Sequence, residues 1–583
     1  MPAQAYFLPD IDCDVLIVGS GAAGLSAAVT AAWHGLKVIV VEKDPVFGGA
    51  TAWSGGWAWV PCNPLARRAG IVEDVELPRT YLKHELGERF DPAMIDAFLE
   101  AGPRMVSFFE RYTSLQFADG NAIADIHGDT PGAGTGGRSV IAAPYDARKV
   151  GKLLKRLRKT MRETSFMGMP IMAGADLTAF LNLTRSLSAA WHVTWRFSRH
   201  LFDLAVHRRA MQLVNGVALV ARLAKSADDL GVLLWESAPV TRLLRENDQV
   251  RGAVVNTAKG SVRIHARKGV VLAAGGFAND VERRKALFPR TPTGHEHLAL
   301  PPLGVNGDGL RLGESAGARV NTDMASAVAW APVSQVTHSD GSTGHFPHII
   351  ERGKPGIIGV LSNGQRFVNE ANGYYDYVTA MVAAAPPGEE VASWLICTHG
   401  FQRRYGLGIS RPFPVPLSSF IRSGYLKTGK TLEELAAACG IDPVGLRATL
   451  SDYNRHARNG EDPQFGRGST PYNRKQGDAL QRPNPCVAPI EQGPFYAVKV
   501  QPGCFGTFAG LKVNQHAQVL DGAAQPIAGL YAAGGDMASI MGGHYPAGGI
   551  NLGPALTFGY IAARHIAGVT AYEKEIDHAA HRS

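Results

Sequence analysis

Hydrophobic positions near the start of the chain fall into two short unbroken runs. Residues 13–18 read CDVLIV and residues 36–41 read LKVIVV. Runs of this length, rich in Val and Ile, predict strands buried on both faces. Between them LSAAVTAAWHG is built from small apolar residues and predicts a buried helix. APVTRLLRENDQVRGAVV (238–255) predicts a β-meander, and VVLAAGGF (270–277) another buried strand that ends in a glycine pair. The middle of the chain has strand and helix patterns of its own, such as TLEELAAACG and DPVGLRATLSDYNRHA. There Thr431 and Glu434 have the spacing of a capping box, in which each side chain satisfies an amide the helix leaves open.

The turn after the first strand carries chemistry. It reads Gly19-Ser-Gly21-Ala22-Ala23-Gly24, and the second strand ends in Glu42, 18 residues beyond Gly24. In a dinucleotide fingerprint the first glycine makes the turn and the second admits a pyrophosphate close to the backbone. The third lets helix and strand pack closely, and the acid bonds a ribose. The helix N-terminus adds free N–H groups and a positive dipole end. Strand, glycines, helix, strand and acid arrive here in that order.

Lys43 through Gly56 reads KDPVFGGATAWSGG. This resembles a segment of the fumarate reductase, succinate dehydrogenase and 3-ketosteroid dehydrogenase flavoprotein superfamily. The resemblance implies FAD, with Lys43, Gly49, Ala50, Thr51, Ser54, Gly55 and Gly56 along the pyrophosphate and isoalloxazine. Covalent members attach the flavin through a histidine in this region. None occurs between Lys43 and Gly56, so a noncovalent flavin is expected. By the same resemblance Val240 contacts adenine, Ala274 and Gly275 close over the diphosphate, and Gly535-Asp536 reaches the ribityl chain. The helix that begins near Gly549, with Asn551 and Leu552, faces the flavin O2. The expected architecture is α/β: a discontinuous Rossmann-like FAD-binding domain (1–280 and 491–583) around an inserted α+β catalytic or capping domain (281–490).

Two further motifs bear on the reaction. SNGQRFVNEANGYYDYV (362–378) is similar to a segment in which fumarate reductase-type members carry a proton-donating arginine four residues after the Glu. Four residues after Glu370 this chain has Tyr374, the residue type found there in 3-ketosteroid 1-dehydrogenases, where it removes a proton beside the ketone. A phenol can act as such a base, whereas a guanidinium hardly gives up its proton. The second motif, His544-Tyr545-Pro546-Ala547-Gly548-Gly549, resembles the Y-P-G-x-G of the same enzymes, with Ala547 in place of a glycine. There the tyrosine hydroxyl and the last glycine's amide both bond the ketone oxygen. Residues 537–559 contain no arginine, which a dicarboxylate would need.

One departure stands out. Relatives have a tyrosine twelve residues before the arginine of a G-G-R-S segment. Counting back from Arg138 lands on Ile126, beside which His127 is the candidate substitute. Packing alone is the competing account of Tyr374, Tyr545 and the Trp53, Trp57 and Trp59 set, which would otherwise wall an apolar substrate pocket.

The expected reaction is FAD-dependent α,β-dehydrogenation of a ketone, a 3-oxosteroid or a smaller cyclic one, with hydride passing to flavin N5. The reverse reaction on an enone or enoate, and a noncatalytic electron-transfer flavoprotein, are the alternatives. The electron acceptor, quinone or dye-like, is open.

Bulk properties add limits. At 583 residues the chain exceeds a single core, and 45% hydrophobic with 19% charged residues suits a soluble enzyme. The net charge of +8 comes without any block of five like charges, so no nucleic-acid partner is expected. The densest basic stretch, Lys149–Arg162, reads as a solvated amphipathic helix face, with weak contact to a membrane surface as its alternative. Six scattered cysteines without a CxxC pair argue against disulfides or a metal site. No signal peptide or 18-residue apolar run is present, so the cytoplasm is expected.

Overall fold

The computed structural model describes residues 8–569. The C-terminal stretch from Glu573, expected to fray, lies outside them.

Eight strands form the first sheet. β1 (Ile11–Val18) lies at its centre, with β2 (Val38–Val41) and then β3 (Leu233–Trp235) on one side. The meander is β4 (Val240–Glu246), β5 (Gln249–Thr257) and β6 (Gly260–Leu272), and the last strand runs on to become the parallel neighbour of β1. Val15, Leu16 and Ile17 are fully buried, as strands covered on both faces require. α1 (Ala22–Trp33) is buried along its whole length, because it is held between this sheet and a second helix.

A second, seven-stranded sheet holds β7 (Leu298–Ala299), β8 (Val328–Thr337), β9 (Thr343–Pro347), β10 (Ile357–Val360), β11 (Ser393–Thr398), β12 (Lys427–Gly429) and β13 (Phe495–Thr507). β13 pairs with β7, β8, β11 and β12. The chain therefore does not return to the first sheet near residue 491. It returns with β14 (Gln518–Leu520) and β15 (Pro526–Ala532), the latter parallel to β6. Half of the expected capping box forms in this region: the Glu434 amide donates to Thr431 Oγ1 at 3.2 Å, but the Glu434 carboxylate accepts from Lys430 N (2.7 Å), one residue before the N-cap.

Residues 57–230 add a three-stranded sheet and several helices beside the first sheet. Among them α2 (Leu187–His207) follows a short helix, Ala175–Leu181. α3 (Tyr374–Ala384) packs on β8, and α4 (Leu552–Ile566) packs on α1. A β-carbon on Gly559 would lie 2.4 Å from the Ala23 carbonyl oxygen, so the α1–α4 contact needs a glycine. Ser26 Oγ also donates to Leu556 O at 2.6 Å across that contact.

The basic stretch 149–162 is not a helix face. Ala147–Lys155 is 3₁₀ with a break at Gly151, and Val150, Leu153 and Leu157 point inward. Arg156 pairs with Glu236, Arg158 with Asp44 and Arg162 with Asp340, while Lys149, Lys152, Lys155 and Lys159 are exposed and solvated. All six cysteines are free, and among the described residues no cluster of His, Cys, Asp or Glu could hold a metal ion. No helix among them is long and apolar enough to cross a membrane.

Candidate active site

One cavity of about 1620 Å³ runs from the ends of β1 and β2 to the second sheet. That exceeds a site for one small molecule and suits a dinucleotide with a substrate beside it. Every residue expected to touch cofactor lines it except Gly24 and Asp536.

The three glycines of the turn stand in three different settings. Gly19 has φ +108°, and a β-carbon there would meet the Ala273 carbonyl oxygen at 2.2 Å. On Gly24 it would lie 2.0 Å from Gly19 O, which explains why that glycine packs inside and not on the cavity. On Gly21 it would find only Thr51 Oγ1, at 3.4 Å, and would otherwise fill the cradle under the helix N-terminus. Thr51 Oγ1 accepts the Ala22 amide at 2.9 Å and so ties the 49–56 segment to that cradle. Glu42 is buried and accepts from Ser20 Oγ (2.5 Å), Ser20 N (3.2 Å) and Asp44 N (3.0 Å). Its burial raises its pKa, and these donors work in the other direction. Lys43 is held by Asn306 and Asp308.

Asp536 stands differently from expectation. Its carboxylate accepts the amides of Ala274 (2.5 Å) and Gly276 (2.9 Å), while Gly535 takes the place on the cavity wall. Burial, foremost, pushes the Asp536 carboxyl up to about 6 against those two amides. Ala274 N–H is therefore committed to Asp536. This carboxylate shapes the 274–276 loop and does not lie open to a ribityl chain.

At the other end of the cavity Tyr374, the first residue of α3, meets Tyr545. Their ring centroids lie 5.0 Å apart at 77°. Phe505 packs edge-on against Tyr374 at 5.2 Å. The Tyr545 loop is clamped through the Pro546 carbonyl, which accepts from Tyr81 OH (2.7 Å) and Ile126 N (2.9 Å). Gly549 has φ +103°, where a β-carbon would meet Trp59 N at 2.7 Å. The Gly549 carbonyl is used by Trp59 N (3.0 Å) and Gly553 N (2.9 Å), whereas its amide has no protein acceptor among the described residues. α4 starts just beyond, and Asn551 at its N-cap makes no side-chain cap, so the Leu552 amide, the first of the helix, has no acceptor among the described residues and stays open beside the cavity.

Burial, foremost, with the Tyr545 and Tyr472 hydroxyls, pushes Tyr374 well above the ordinary phenol range; Arg352 pulls it down. Burial likewise raises Tyr545 and keeps it a proton donor. Tyr472 and Arg352 were not found from sequence. Arg352 is fully buried and donates to the carbonyls of His348, Glu370 and Asn372, a set that leaves no trace in residue spacing. Tyr472 sits in the first turn of a short helix (Pro471–Gln476), where only its cap, Thr470-Pro471, shows in the sequence.

His127 is not beside Tyr374. It lies between Glu85 (2.5 Å) and Asp376 (3.2 Å). Burial opposes its charge, yet bonds to Asp376 and Glu85 outweigh burial and raise it to about 10. Ile126 packs against Gly373, so an apolar side chain stands near where relatives carry a hydroxyl. The tryptophans divide: Trp53 and Trp57 line the cavity, while Trp59 is core, bonded to Asp125 at 2.9 Å. Tyr375 does not line the cavity, and its hydroxyl donates to Gly543 O at 2.9 Å.

A family model described as an FAD binding domain matches residues 14–552. The chain belongs to this family. FAD is the cofactor of this flavoprotein, which is an oxidoreductase. It is 41% identical to 4-oxocyclohex-2-ene-1-carboxylate 5-dehydrogenase of Sinomonas cyclohexanicum, over 96% of this chain and 94% of that one. It is 33% identical to a 3-oxosteroid 1-dehydrogenase of Mycobacterium tuberculosis (strain CDC 1551 / Oshkosh), over 96% and 99%. Among solved structures, 3-ketosteroid delta1-dehydrogenase from Sterolibacterium denitrificans, in complex with 1,4-androstadiene-3,17-dione, superposes with a TM-score of 0.88. That pair is 33% identical over 96% of this flavoprotein and 99% of the other chain.

Proposed function

We propose that this flavoprotein removes hydrogen from the α and β carbons of a cyclic ketone. The observation that carries the reading is the meeting of Tyr374, Tyr545 and the unpaired Gly549 amide in the cavity that the dinucleotide cradle opens into. Tyr545 OH and Gly549 N–H donate to the ketone oxygen. Two donors on one oxygen stabilise the enolate more than the ketone, which is the use of an oxyanion hole. Tyr374 takes the α-proton, helped by the buried Arg352 cation, which favours its phenolate. FAD, held noncovalently over the Gly21 cradle and Glu42, supplies the hydride acceptor when bound.

The substrate ring bears a carboxylate on this reading. Arg411 lines the cavity and donates from Nη2 to the carbonyls of Glu163 (2.8 Å) and Ser165 (3.0 Å). No carboxylate lies within ion-pair distance of it among the described residues, and its Nε and Nη1 have no protein acceptor. Of the other cations on the cavity wall, Lys43 pairs with Asp308 and Arg196 with Asp176, while the Lys354 and Lys475 ammonium groups, with three donors each, bind the carbonyls of Gln476, Gly477 and Thr135. A half-buried cation without a counter-charge is costly, and a carboxylate ligand offsets that cost. This supports a 4-oxocyclohexene carboxylate class over a neutral steroid.

The test is dye reduction with a 4-oxocyclohexene carboxylate, its neutral cyclohexenone counterpart and a 3-oxosteroid. Arg411→Gln should raise KM for the carboxylate by roughly 10–100-fold, the worth of a charged hydrogen bond, and leave the neutral ketone unchanged. Equal KM changes for both would remove the carboxylate from the proposal and leave the ketone chemistry. Inert ketones with active fumarate would overturn the whole.

A further inference from the structure

α2 buries one face and leaves a large apolar one in solvent. Ala189, Val193, Arg196, His200 and Asp203 are buried on the inner side. On the outer side Leu187 is 91% exposed, Trp191 74%, Trp195 59%, Phe202 63% and Val206 56%. These positions recur every three to four residues, apart from one longer step, and form a single stripe down the helix. Leu201, next to Phe202 on the helix and 44% exposed, widens the same apolar surface. Exposed single hydrophobic residues are ordinary, but a continuous stripe with two tryptophans is not.

The charge around the stripe is of one sign. Arg185, Arg199 and Arg208 are exposed on and beside it, Arg185 sharing Asp478 (3.7 Å) with Arg404, and the one acidic residue of α2, Asp203, is buried. Apolar and aromatic residues flanked by arginines, with no exposed acid, are the pattern of a helix that lies in a membrane interface. Tryptophan suits that depth because its body is apolar and its N–H seeks the wet side. A second copy of the chain fits less well. Two-fold antiparallel pairing about the middle of α2 would set Arg185 of one copy against Arg208 of the other, and the acid beside Arg185, Asp478, is already shared with Arg404.

We propose that α2 docks this flavoprotein on an anionic lipid bilayer, lying in the interface without crossing it. The inner side of the helix gives the placement a consequence. His192, Arg196 and Phe197 line the active-site cavity, so a single helix separates bilayer from cavity. A lipid-soluble quinone, one of the two acceptor classes expected from the sequence, lies within reach of a protein docked in this way.

The experiment is flotation of the FAD-loaded enzyme with vesicles of phosphatidylglycerol and phosphatidylethanolamine, beside vesicles of phosphatidylcholine alone. The wild-type protein should float with the anionic vesicles, less with the neutral ones, and less as salt rises. Trp191→Ser/Trp195→Ser/Phe202→Ser should bind at least about tenfold more weakly, since tenfold is only about 1.4 kcal/mol and three large apolar groups are lost. Ketone-dependent reduction of a soluble dye should be unchanged, because none of the three lines the cavity. Trp195→Ser alone gives a milder step should the triple variant fold poorly. Wild-type protein that floats with no vesicle, or a triple variant that floats equally well, overturns the proposal. So does a wild-type dimer in sedimentation velocity that the variant turns into a monomer without any vesicle binding.

Discussion

Replacing Tyr545 by Phe removes one oxygen and little else. The ring is 4% exposed and packs on Tyr374 at 5.0 Å, Tyr375 at 5.9 Å and Phe508 at 5.9 Å, contacts that Phe retains. Its hydroxyl has one long hydrogen bond in the protein, accepted from Asn551 Nδ2 at 3.4 Å. Losing it should cost at most about 1 kcal/mol of stability, the net worth of an ordinary hydrogen bond. The effect on the reaction should be larger, because one of two donors to the developing oxyanion is gone. Single donors of this kind are worth about 10²–10³ in kcat, or roughly 3–4 kcal/mol. Two assays separate the effects: a thermal melt for stability, and ketone-dependent dye reduction for rate. A third follows exchange of the ketone's α-protons in deuterated solvent, which should fall with kcat because enolisation needs the same donor. A rate within about threefold of wild type, with exchange intact, would show that Tyr545 only packs.

Other outcomes follow from the same structure. Acid precipitation should leave colourless protein and free FAD in the supernatant, and yellow precipitate would refute noncovalent binding. Glu42→Ala should weaken FAD retention by roughly 1.5–3 kcal/mol, read from dissociation on dilution. Glu370 is fully buried, with Arg366 on both carboxylate oxygens at 2.7–2.8 Å and Arg467 at 3.1 Å. Burial resists its ionisation, but these arginines win and hold it below the usual carboxylate range. Its contribution to stability is thus present above its unfolded pKa and lost as pH falls through the depressed folded value. Glu370→Gln should cost about 3–5 kcal/mol at neutral pH and flatten that share of the acid dependence in thermal melts, and an unchanged melting curve would refute it. His127, raised to about 10, should show no imidazole titration by NMR between pH 5 and 8, and a midpoint in that window would contradict its pairing with Glu85 and Asp376.

What could be read from sequence was local. Residues 11–42 form strand, turn, helix and strand without interruption, so each glycine's task follows from its neighbours. Tyr374 and Tyr545 were reached only through resemblance, because two distant loops meet there and spacing says nothing of that. Asp536 was given the wrong partner: a carboxylate after a glycine pair can turn to the cavity or to the next loop, and Gly309, whose β-carbon would collide with it at 2.0 Å, leaves it the inward place. The return segment was begun at 491, ahead of β13, because an apolar strand carries no mark of which neighbours it will pair with, and β13 pairs in the second sheet. Arg352 and Arg411 bind mainly backbone carbonyls, which any sequence supplies, so neither stood out. The basic stretch at 149–162 misled because its partners, Glu236, Asp44 and Asp340, lie far off along the chain.

The measurement closest to the central claim is anaerobic stopped-flow mixing of the oxidised enzyme with a 4-oxocyclohexene carboxylate, following the loss of flavin absorbance from pH 7 to 10. Because Tyr374 is held above the ordinary phenol range, its basic form grows with pH and the wild-type rate should climb across that window. In Tyr374→Phe the rate should fall about 10²–10⁴-fold and lose that rise, with the ketone's Kd nearly unchanged. Bleaching at the same rate and with the same pH dependence in both proteins would contradict the assignment of Tyr374 as the base.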